Sequence, residues 1–239
     1  MKVEIIRCLK DNFSYLIINE SNLTACVIDP SEAKPVINYI EDNDLKLKYI
    51  LNTHHHYDHI GGNHELKKKY NSAIVGFEGD KDRIPGIDLF VKDNQVWRDD
   101  IFEAKIYHIP GHTTGHIAFH FFKEKKIFTG DTLFSLGCGK IFEGTYSQMY
   151  NSLNKIKKLP HDTKIYFGHE YTLNNSNFCL ANDCGNSKLK KKIIEIKEKL
   201  KKNLPTTPTL LSDEINCNIF LRAKDLDSFS KLRELKDNF

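Results

Sequence analysis

A dense group of histidine and carboxylate side chains near residue 55 constrains this chain more than any other feature. Residues 53–59 read Thr-His-His-His-Tyr-Asp-His, the pattern T-H-x-H-x-D-H. In an extended segment, residues two positions apart project to the same side, so His54 and His56 are expected to bind one ion. Asp58 and His59 follow and are expected to bind a second ion. Imidazole and carboxylate ligands suit Zn²⁺, Fe²⁺ or Mn²⁺ better than Ca²⁺ or Mg²⁺.

A histidine tag, a solvated loop or a structural zinc site accounts less well for this stretch. Tags lie at chain termini, whereas these histidines follow the apolar run Leu47–Leu51, which also disfavours a solvated loop. A structural zinc site usually has four Cys or His ligands and rarely includes an aspartate. A catalytic metal centre is therefore the favoured interpretation.

Three further potential ligands each follow a glycine at the end of an apolar, strand-like run. They are His112, Asp131 and His169, preceded by Gly111, Gly130 and Gly168 respectively. Glycine permits close approach of the backbone, and functional groups in α/β proteins commonly lie on the loops after strands. Seven ligands from four loops are therefore expected to converge.

With these residues in place, the chain resembles the metallo-β-lactamase-fold hydrolases and, within them, the glyoxalase II family of hydroxyacylglutathione hydrolases. The resemblance implies two divalent metal ions, with Zn²⁺ favoured and Fe²⁺ or Mn²⁺ as alternatives. The implied ligands are His54, His56 and His112 for the first ion, Asp58, His59 and His169 for the second, and Asp131 as a bridge between both. Catalysis is expected to depend on Asp131, Asp58 and His54. Asp29, which ends the run Ala25–Ile28, is a candidate to orient a ligand histidine by accepting its hydrogen bond.

Three other segments resemble the glutathione-binding parts of the same family. They are Gly137–Thr145, Gly168–Thr172 and Asn218–Arg222. The resemblance implies that glutathione binds to Lys140, Phe142, Tyr171, Arg222 and Lys224. Glutathione carries two carboxylates, which Arg and Lys side chains bind well.

The alternative roles of these residues are an ordinary surface lysine at Lys140, a packed aromatic at Tyr171 and a salt-bridged surface residue at Arg222. Two positions also depart from the family pattern. Phe142 lacks the hydroxyl of the tyrosine that is common there, which is expected to cost about 1 kcal/mol of binding free energy. Ile219 replaces a proline and loosens the backbone before Arg222.

The expected reaction is hydrolysis of S-(2-hydroxyacyl)glutathione, above all S-D-lactoylglutathione, to glutathione and D-lactate, the second step of methylglyoxal detoxification. Two neighbouring cations lower the pKa of a bridging water from about 15.7 towards 7, so hydroxide is available to attack the thioester. Three other functions compete: a persulfide dioxygenase with one iron, a lactonase or generic metallo-β-lactamase hydrolase, and a non-enzymatic glutathione sensor. The first two would not need the Lys140 and Arg222 segments, and the sensor would not need Asp131.

Composition fits a soluble enzyme but does not by itself specify one. The chain has 239 residues, of which 40% are hydrophobic and 28% charged. A formal net charge of +3 is too small to suggest a nucleic-acid partner, and no apolar run is long enough to span a membrane. Six cysteines without any C-x-x-C pair favour a reducing compartment, so we expect a cytoplasmic protein, and we expect a monomer.

The predicted fold class is α+β, and the resemblance implies a metallo-β-lactamase αβ/βα sandwich with a small C-terminal helical domain. Predicted strands include residues 14–18, 25–28, 73–77, 118–122 and 127–129, and predicted helices residues 35–43, 146–158, 187–202 and a last pair within 211–239. The expected domains are a catalytic domain at residues 1–169 and a C-terminal helical substrate-binding domain at residues 170–239.

Overall fold

The structure is a computed structural model that describes residues 1–239. The chain forms two compact units. Unit 1 comprises Met1–His108 and Gly115–Glu124, and unit 2 comprises Ile109–Thr114 and Lys125–Phe239.

Unit 1 contains a six-stranded sheet whose neighbouring strands follow one another in chain order. The strands are β1 (Lys2–Cys8), β2 (Asn12–Asn19), β3 (Thr24–Ile28), β4 (Lys46–Leu51), β5 (Ala73–Phe77) and β6 (Leu89–Val91). Strands β1 to β3 pair antiparallel and β3 to β6 pair parallel. Parallel neighbours need crossover connections. Helix α1 (Ala33–Asp42) connects β3 to β4, and α2 (Tyr57–Ile60) and α3 (Asn63–Tyr70) connect β4 to β5. The connection from β5 to β6 contains a short 3-10 helix, Glu78–Asp80.

Apolar side chains of α1 and the sheet form the core of unit 1. Helix α1 buries Ala33, Val36 and Ile40, which have the spacing of one helix face. These residues belong to one core cluster with sheet residues such as Leu16 and Ile50, both fully buried. Strand β4 pairs with β3 on one side and β5 on the other, so the position of its C-terminal end is fixed within the sheet. The histidine-rich stretch begins at this end.

Three more strands of unit 1 pair antiparallel. They are β7 (Val96–Arg98), β8 (Glu103–His108) and β9 (Ile117–Phe121). The chain leaves unit 1 after β8 and returns before β9.

Unit 2 contains five strands and most of the helices. Its strands are β10 (Lys126–Gly130), β11 (Leu133–Phe134), β12 (Gly137–Cys138), β13 (Lys164–Phe167) and β14 (Thr209–Leu210). Its helices are α4 (Tyr146–Lys157), α5 (Thr172–Asn182), α6 (Ser187–Lys201), α7 (Leu211–Cys217) and α8 (Leu226–Asp237). Strand β10 pairs parallel with β13, β13 antiparallel with β14, and β11 and β12 form a hairpin.

Local sequence explains where several helices of unit 2 begin. Thr145 and Gln148 form a capping box at the start of α4, and Asp225 and Ser228 form one at the start of α8. Asn186 caps α6 by accepting from the amide of Leu189.

The predicted strands and helices are present at about the predicted positions; for example, the helix predicted at residues 187–202 is α6, with Leu189, Ile193 and Ile196 buried. Short elements such as β11, β12 and β14 were not predicted, because two residues cannot display a periodic pattern. The boundary between residues 169 and 170 stays a prediction. None of the helices is long and apolar enough to cross a membrane.

Candidate metal centre

Unit 1 carries four of the seven predicted ligands, immediately after β4. His54 and His56 lie in a loop, and Asp58 and His59 lie in the four-residue helix α2. The ring centroid of His54 is 4.1 Å from that of His59 and 4.8 Å from that of His56. The structure therefore groups the three predicted histidine ligands of this stretch.

The glycines after α2 allow this loop to sit against the segment after β3. A Cβ atom on Gly61 would lie 2.6 Å from the carbonyl oxygen of Ser31, and one on Gly62 would lie 2.9 Å from the amide nitrogen of Ala33. Both contacts are closer than real Cβ atoms tolerate. The Gly61–Gly62 pair is thus required by close backbone approach.

Asp29 holds the rings of two predicted ligands, one directly and one through a threonine. Its Oδ2 atom is 3.0 Å from Nδ1 of His59 and accepts a 2.6 Å hydrogen bond from the hydroxyl of Thr53. The Thr53 oxygen in turn lies 3.0 Å from Nδ1 of His54. Since the hydroxyl donates to Asp29, its oxygen is left to accept from His54. Both histidines then carry their proton on Nδ1, which leaves each Nε2 lone pair available to a metal.

Asn12, at the start of β2, holds the predicted ligand Asp58. Its amide nitrogen lies 3.0 Å from both the backbone oxygen and the Oδ2 atom of Asp58. The same Oδ2 atom is 3.7 Å from Nε2 of His59, so the donor atoms of the two predicted ligands of the second ion face one another. The sequence analysis did not predict this role for Asn12, because Asn12 precedes Asp58 by 46 residues and belongs to no ligand pattern.

Unit 2 carries the other three predicted ligands, each on a different loop. Asp131 follows β10, His169 follows β13, and His112 lies in the segment 109–114. The Oδ2 atom of Asp131 lies 3.5 Å from Nε2 of His112 and 3.2 Å from Nε2 of His169. All three side chains are more than nine-tenths buried. One carboxylate oxygen therefore lies between the coordinating nitrogens of two histidines that are predicted to bind different ions.

The segment after the β11–β12 hairpin fixes the orientation of His112. Nδ1 of His112 lies 2.8 Å from the carbonyl oxygen of Lys140, which can only accept, so the ring carries its proton on Nδ1 and leaves Nε2 for a metal. Gly139 makes this possible, because a Cβ there would lie 1.9 Å from the carbonyl oxygen of Asp131.

Two of the predicted glutathione-binding aromatics lie beside predicted ligand histidines of unit 2. Tyr171 stacks on His169 with centroids 4.7 Å apart and an interplanar angle of 2°, and it remains 40% exposed. Phe142 presents its ring to His112 at 5.2 Å and is 62% exposed. An exposed aromatic next to a buried donor group can contact a bound ligand.

The three predicted basic residues are at the surface of unit 2. Lys140 is exposed, with its Nζ 5.8 Å from the centroid of Phe142, and Lys224 lies in the exposed stretch between α7 and α8. Arg222 forms an ion pair with Asp183, and its side chain is 40% exposed. An exposed ion pair of this kind contributes little free energy, so it can exchange for a pair with a carboxylate of a ligand.

The donor set suits divalent transition-metal ions. All seven donors are imidazoles or carboxylates, and within unit 1 the donor atoms of Asp29, His54 and His59 lie within 4.8 Å of one another. Such ligands are typical of zinc, iron and manganese. Four of the five histidines that are predicted to be ligands have a polar contact at Nδ1 or Nε2 that helps to orient the ring.

Two family models together match residues 11–239. The metallo-beta-lactamase superfamily matches residues 11–169, and the hydroxyacylglutathione hydrolase C-terminus matches residues 170–239. The first match supports divalent metal ions as cofactors.

Several similar proteins align with this chain over nearly the whole length of both proteins. The chain is 65% identical to a hydroxyacylglutathione hydrolase of Pelagibacter ubique over 239 residues, covering 100% of both chains. It is 46% identical to one of Prochlorococcus marinus, covering 97% of this chain and 94% of the relative, and 38% identical to one of Methylococcus capsulatus, covering 98% and 97%.

Solved structures match the fold. The structure of ETHE1 from Myxococcus xanthus aligns with a TM-score of 0.76 at 24% identity, covering 98% of this chain and 90% of that one. The BLEG-1 B3 metallo-beta-lactamase aligns with a TM-score of 0.72 at 20% identity, covering 92% and 99%. The predicted metallo-β-lactamase fold with a C-terminal helical part is confirmed, and the chain belongs to the metallo-β-lactamase superfamily and, within it, to the hydroxyacylglutathione hydrolase family.

Proposed function

We propose that this protein hydrolyses S-(2-hydroxyacyl)glutathione thioesters, with S-D-lactoylglutathione as its main substrate, and releases glutathione and D-lactate. In a cell this is the second step of methylglyoxal detoxification. The relatives named hydroxyacylglutathione hydrolase support the substrate class. The observation that carries the reaction type is Asp131, whose Oδ2 atom lies within 3.5 Å of the Nε2 atoms of two buried histidines.

We infer that the seven residues hold two divalent ions, with Zn²⁺ favoured and Fe²⁺ or Mn²⁺ as alternatives. The proposed ligands are His54, His56 and His112 for one ion, Asp58, His59 and His169 for the other, and Asp131 for both. When bound, such ions lower the pKa of a coordinated water to near 7 and polarise a carbonyl oxygen.

Other residues of the protein hold these donor atoms in position before an ion binds. Asp29 favours a proton on Nδ1 of His59 directly and on Nδ1 of His54 through Thr53. The carbonyl oxygen of Lys140 does the same for His112. Asn12 holds the Oδ2 atom of Asp58, the same oxygen that lies 3.7 Å from Nε2 of His59. Groups that are held in position lose less conformational entropy when they bind an ion or a substrate.

The leaving group explains why no general acid is needed. A thiolate is a much weaker base than an alkoxide and therefore a better leaving group, because a thiol has a pKa of about 8.5. It can therefore leave without being protonated, so Asp58 and His54 serve as ligands and no further acidic residue is required.

The proposed glutathione site uses the basic residues to bind carboxylates. Lys140, Arg222 and Lys224 are exposed cations of unit 2, and glutathione offers two carboxylates for them. Tyr171 and Phe142 add apolar contact beside His169 and His112.

We also propose a monomer that acts in the cytoplasm without nucleic-acid or membrane partners. Six free cysteines, five of them buried, suit a reducing compartment. A net charge of +3 gives no strong attraction to polyanions.

The substrate class is tested by comparing two D-lactoyl thioesters, one of glutathione and one of cysteamine, which lacks both glutathione carboxylates. We expect Arg222→Met and Lys140→Met each to raise KM for S-D-lactoylglutathione about tenfold, because a charge-assisted hydrogen bond contributes about 1.5–3 kcal/mol. The cysteamine thioester should show no such change. Lys34→Met, an exposed lysine on α1, serves as the control.

Other outcomes separate the competing functions. Oxygen uptake on glutathione persulfide without thioester hydrolysis would indicate a persulfide dioxygenase. Equal hydrolysis of both thioesters, unaffected by either substitution, would indicate a generic hydrolase and contradict the proposed glutathione site.

A further inference from the structure

We propose that Ser14, on β2, is a positioning residue for the predicted metal ligands His54 and His59 and acts through the backbone of residues 29–31. These three residues lie between β3 and α1, and we call them segment 29–31. The inference rests on the proposed metal-binding role of the two histidines. It gives a strand that carries no predicted ligand a role in the metal centre.

Ser14 is fully buried and uses every hydrogen-bonding position of its hydroxyl. Its Oγ atom donates to the carbonyl oxygen of Asp29 at 2.7 Å and accepts from the amide of Ser31 at 3.1 Å. The Sγ atom of Cys8 lies 3.4 Å away and is the donor of this contact, because the Ser14 proton already points to Asp29. Burial raises the pKa of the Cys8 thiol, so the thiol keeps its proton. One buried oxygen thus bridges both ends of segment 29–31.

The first residue of the segment orients both histidines. The side chain of Asp29 accepts from the amide and hydroxyl of Thr53 at 2.8 and 2.6 Å, and its Oδ2 atom lies 3.0 Å from Nδ1 of His59. The Thr53 oxygen lies 3.0 Å from Nδ1 of His54. The direction of the Asp29 side chain therefore decides how both rings are held.

The other end of the segment contacts the glycine pair that follows α2. The carbonyl oxygen of Pro30 accepts from the amide of Gly62 at 2.8 Å. A Cβ atom on Gly61 would lie 2.6 Å from the carbonyl oxygen of Ser31, so the two backbones are in close contact. Helix α2 carries two predicted ligands, so the segment also supports this short helix from its C-terminal side.

The conformation of the segment depends on partners outside it. Asp29 has a φ of +46°, a left-handed conformation that is unfavourable for most residues with a side chain. Its amide donates to the carbonyl oxygen of Leu51 on β4 at 3.0 Å, and Ser14 holds its carbonyl oxygen from β2. Without the Ser14 hydroxyl, that carbonyl and the amide of Ser31 lose a buried partner. We therefore expect the carboxylate of Asp29 to be less firmly directed.

The test compares Ser14→Ala with Ser72→Ala. Ser72 is also a buried serine of unit 1, and its hydroxyl donates to the carbonyl oxygen of Leu47 at 2.8 Å. It precedes β5, at the end of the sheet away from the predicted ligands, so it is the matched control. Zn²⁺ affinity is measured for each metal-free protein by competition with a chromophoric chelator. We expect Ser14→Ala to weaken Zn²⁺ binding about fivefold, the equivalent of one lost hydrogen bond, and Ser72→Ala to bind Zn²⁺ like the wild type.

A second readout reports on the histidines themselves. In metal-free protein with ¹⁵N-labelled histidine, the Nδ1 proton of His59 should exchange with solvent faster in Ser14→Ala than in the wild type or Ser72→Ala. The Nδ1 proton of His112, whose acceptor is the carbonyl oxygen of Lys140, should exchange at the same rate in all three proteins. Faster exchange at His59 alone would separate a local positioning role from a general loss of stability, which urea unfolding of each variant measures.

Ser14→Cys keeps the proposal testable if Ser14→Ala does not fold. A thiol is a weak donor and a weak acceptor, so a loss of Zn²⁺ affinity of about two- to threefold is expected. Wild-type affinity and unchanged exchange at His59 in the folded variants would overturn the proposal, as would an equal loss of affinity in Ser72→Ala. If the wild type itself binds no metal, the proposed function fails instead. The exchange at His59 is measured without metal and still tests Ser14, so the two failures are distinguishable.

Discussion

At the scale of single residues, one buried carboxylate orients two histidines that are predicted to bind metal. Asp29 accepts hydrogen bonds from the amide and hydroxyl of Thr53 and contacts Nδ1 of His59. The hydroxyl oxygen of Thr53 in turn contacts Nδ1 of His54 and so orients that ring as well. Asp29 has a φ of +46°, a left-handed conformation that Asp tolerates better than most residues. This backbone conformation turns its carboxylate towards Thr53 at the end of β4.

Asp29→Asn should weaken metal binding by about ten- to a hundredfold, the range typical for partners of metal ligands. Three donors meet at the carboxylate, and an amide group would turn its NH₂ towards one of them. Metal content after dialysis against increasing chelator measures the effect, with Thr53→Ser as the control because serine keeps the hydroxyl. Undiminished affinity in Asp29→Asn would show that the carboxylate has no orienting role.

His120 provides a prediction about stability and pH. It lies buried on β9 opposite Lys105 of β8, and burial together with the nearby Lys105 ammonium lowers its pKa to about 4. In the unfolded chain a histidine has a pKa of about 6.5. The unfolded state therefore binds the proton more readily, so stability is full above about pH 6.5 and falls as the pH drops towards 4.

His120→Phe should remove this part of the acid sensitivity. Between about pH 8 and pH 5, the wild type is expected to lose about 2 kcal/mol more unfolding free energy than the variant. Urea unfolding of both proteins at the two pH values measures the difference, and the other histidines cancel because both proteins contain them. Identical losses in the two proteins would mean that His120 is hydrated in the folded state.

At the scale of elements, the short hairpin β11–β12 depends on a carboxylate from α7. Glu214 is fully buried and accepts from the amide of Leu136, the hydroxyls of Ser135 and Thr209, and the side chain of Asn218. Burial raises the pKa of Glu214, and its hydrogen bonds oppose this rise without cancelling it. Each strand of this hairpin has only two residues and forms few contacts of its own. The hydrogen bonds to Glu214 therefore set the position of the hairpin.

Glu214→Ala should lower the unfolding free energy by about 2–4 kcal/mol, because it leaves several buried donors without an acceptor. Chemical unfolding measures the change, and Glu195→Ala, an exposed glutamate on α6, is the control. A loss no larger than that of the control would show that water replaces the carboxylate.

The elements that were predicted from the sequence are those long enough to show a pattern. Helix α6 has apolar residues on one face, and strands such as β3 and β5 are short apolar runs between polar residues. The two-residue strands and the α2 helix have no such pattern. Their conformation depends on close contacts such as Gly61 against Ser31, which involve residues far apart in the chain.

The same distinction applies to the site. The ligands were predicted because they form local patterns or follow glycines, and Asp29 because it ends an apolar run. Asn12 and Ser14 were not predicted, since they contact residues 46 and 15 positions away and each alone is an ordinary polar residue. Sequence patterns therefore indicate candidate metal ligands more readily than the residues that hold those candidates in place.

At the scale of the whole molecule, the C-terminal segment contacts a part of the chain that carries predicted site residues. Residues 170–239 match a separate family model, yet Glu214, Asn218 and Arg233 all contact the backbone of residues 134–139. The segment that carries the proposed glutathione residue Arg222 thus also supports the loop that carries Lys140. Substrate binding and metal binding are expected to depend on the same part of the chain.

The most direct test of the proposed reaction measures hydrolysis of S-D-lactoylglutathione and metal content on the same samples of wild type and Asp131→Asn. We expect rapid turnover and close to two metals per chain in the wild type. In Asp131→Asn we expect kcat to fall by orders of magnitude, because the amide carries no charge to share between two ions. Near-normal turnover in Asp131→Asn with both metals bound, or a wild type that holds metal but does not hydrolyse the thioester, would contradict the proposed mechanism.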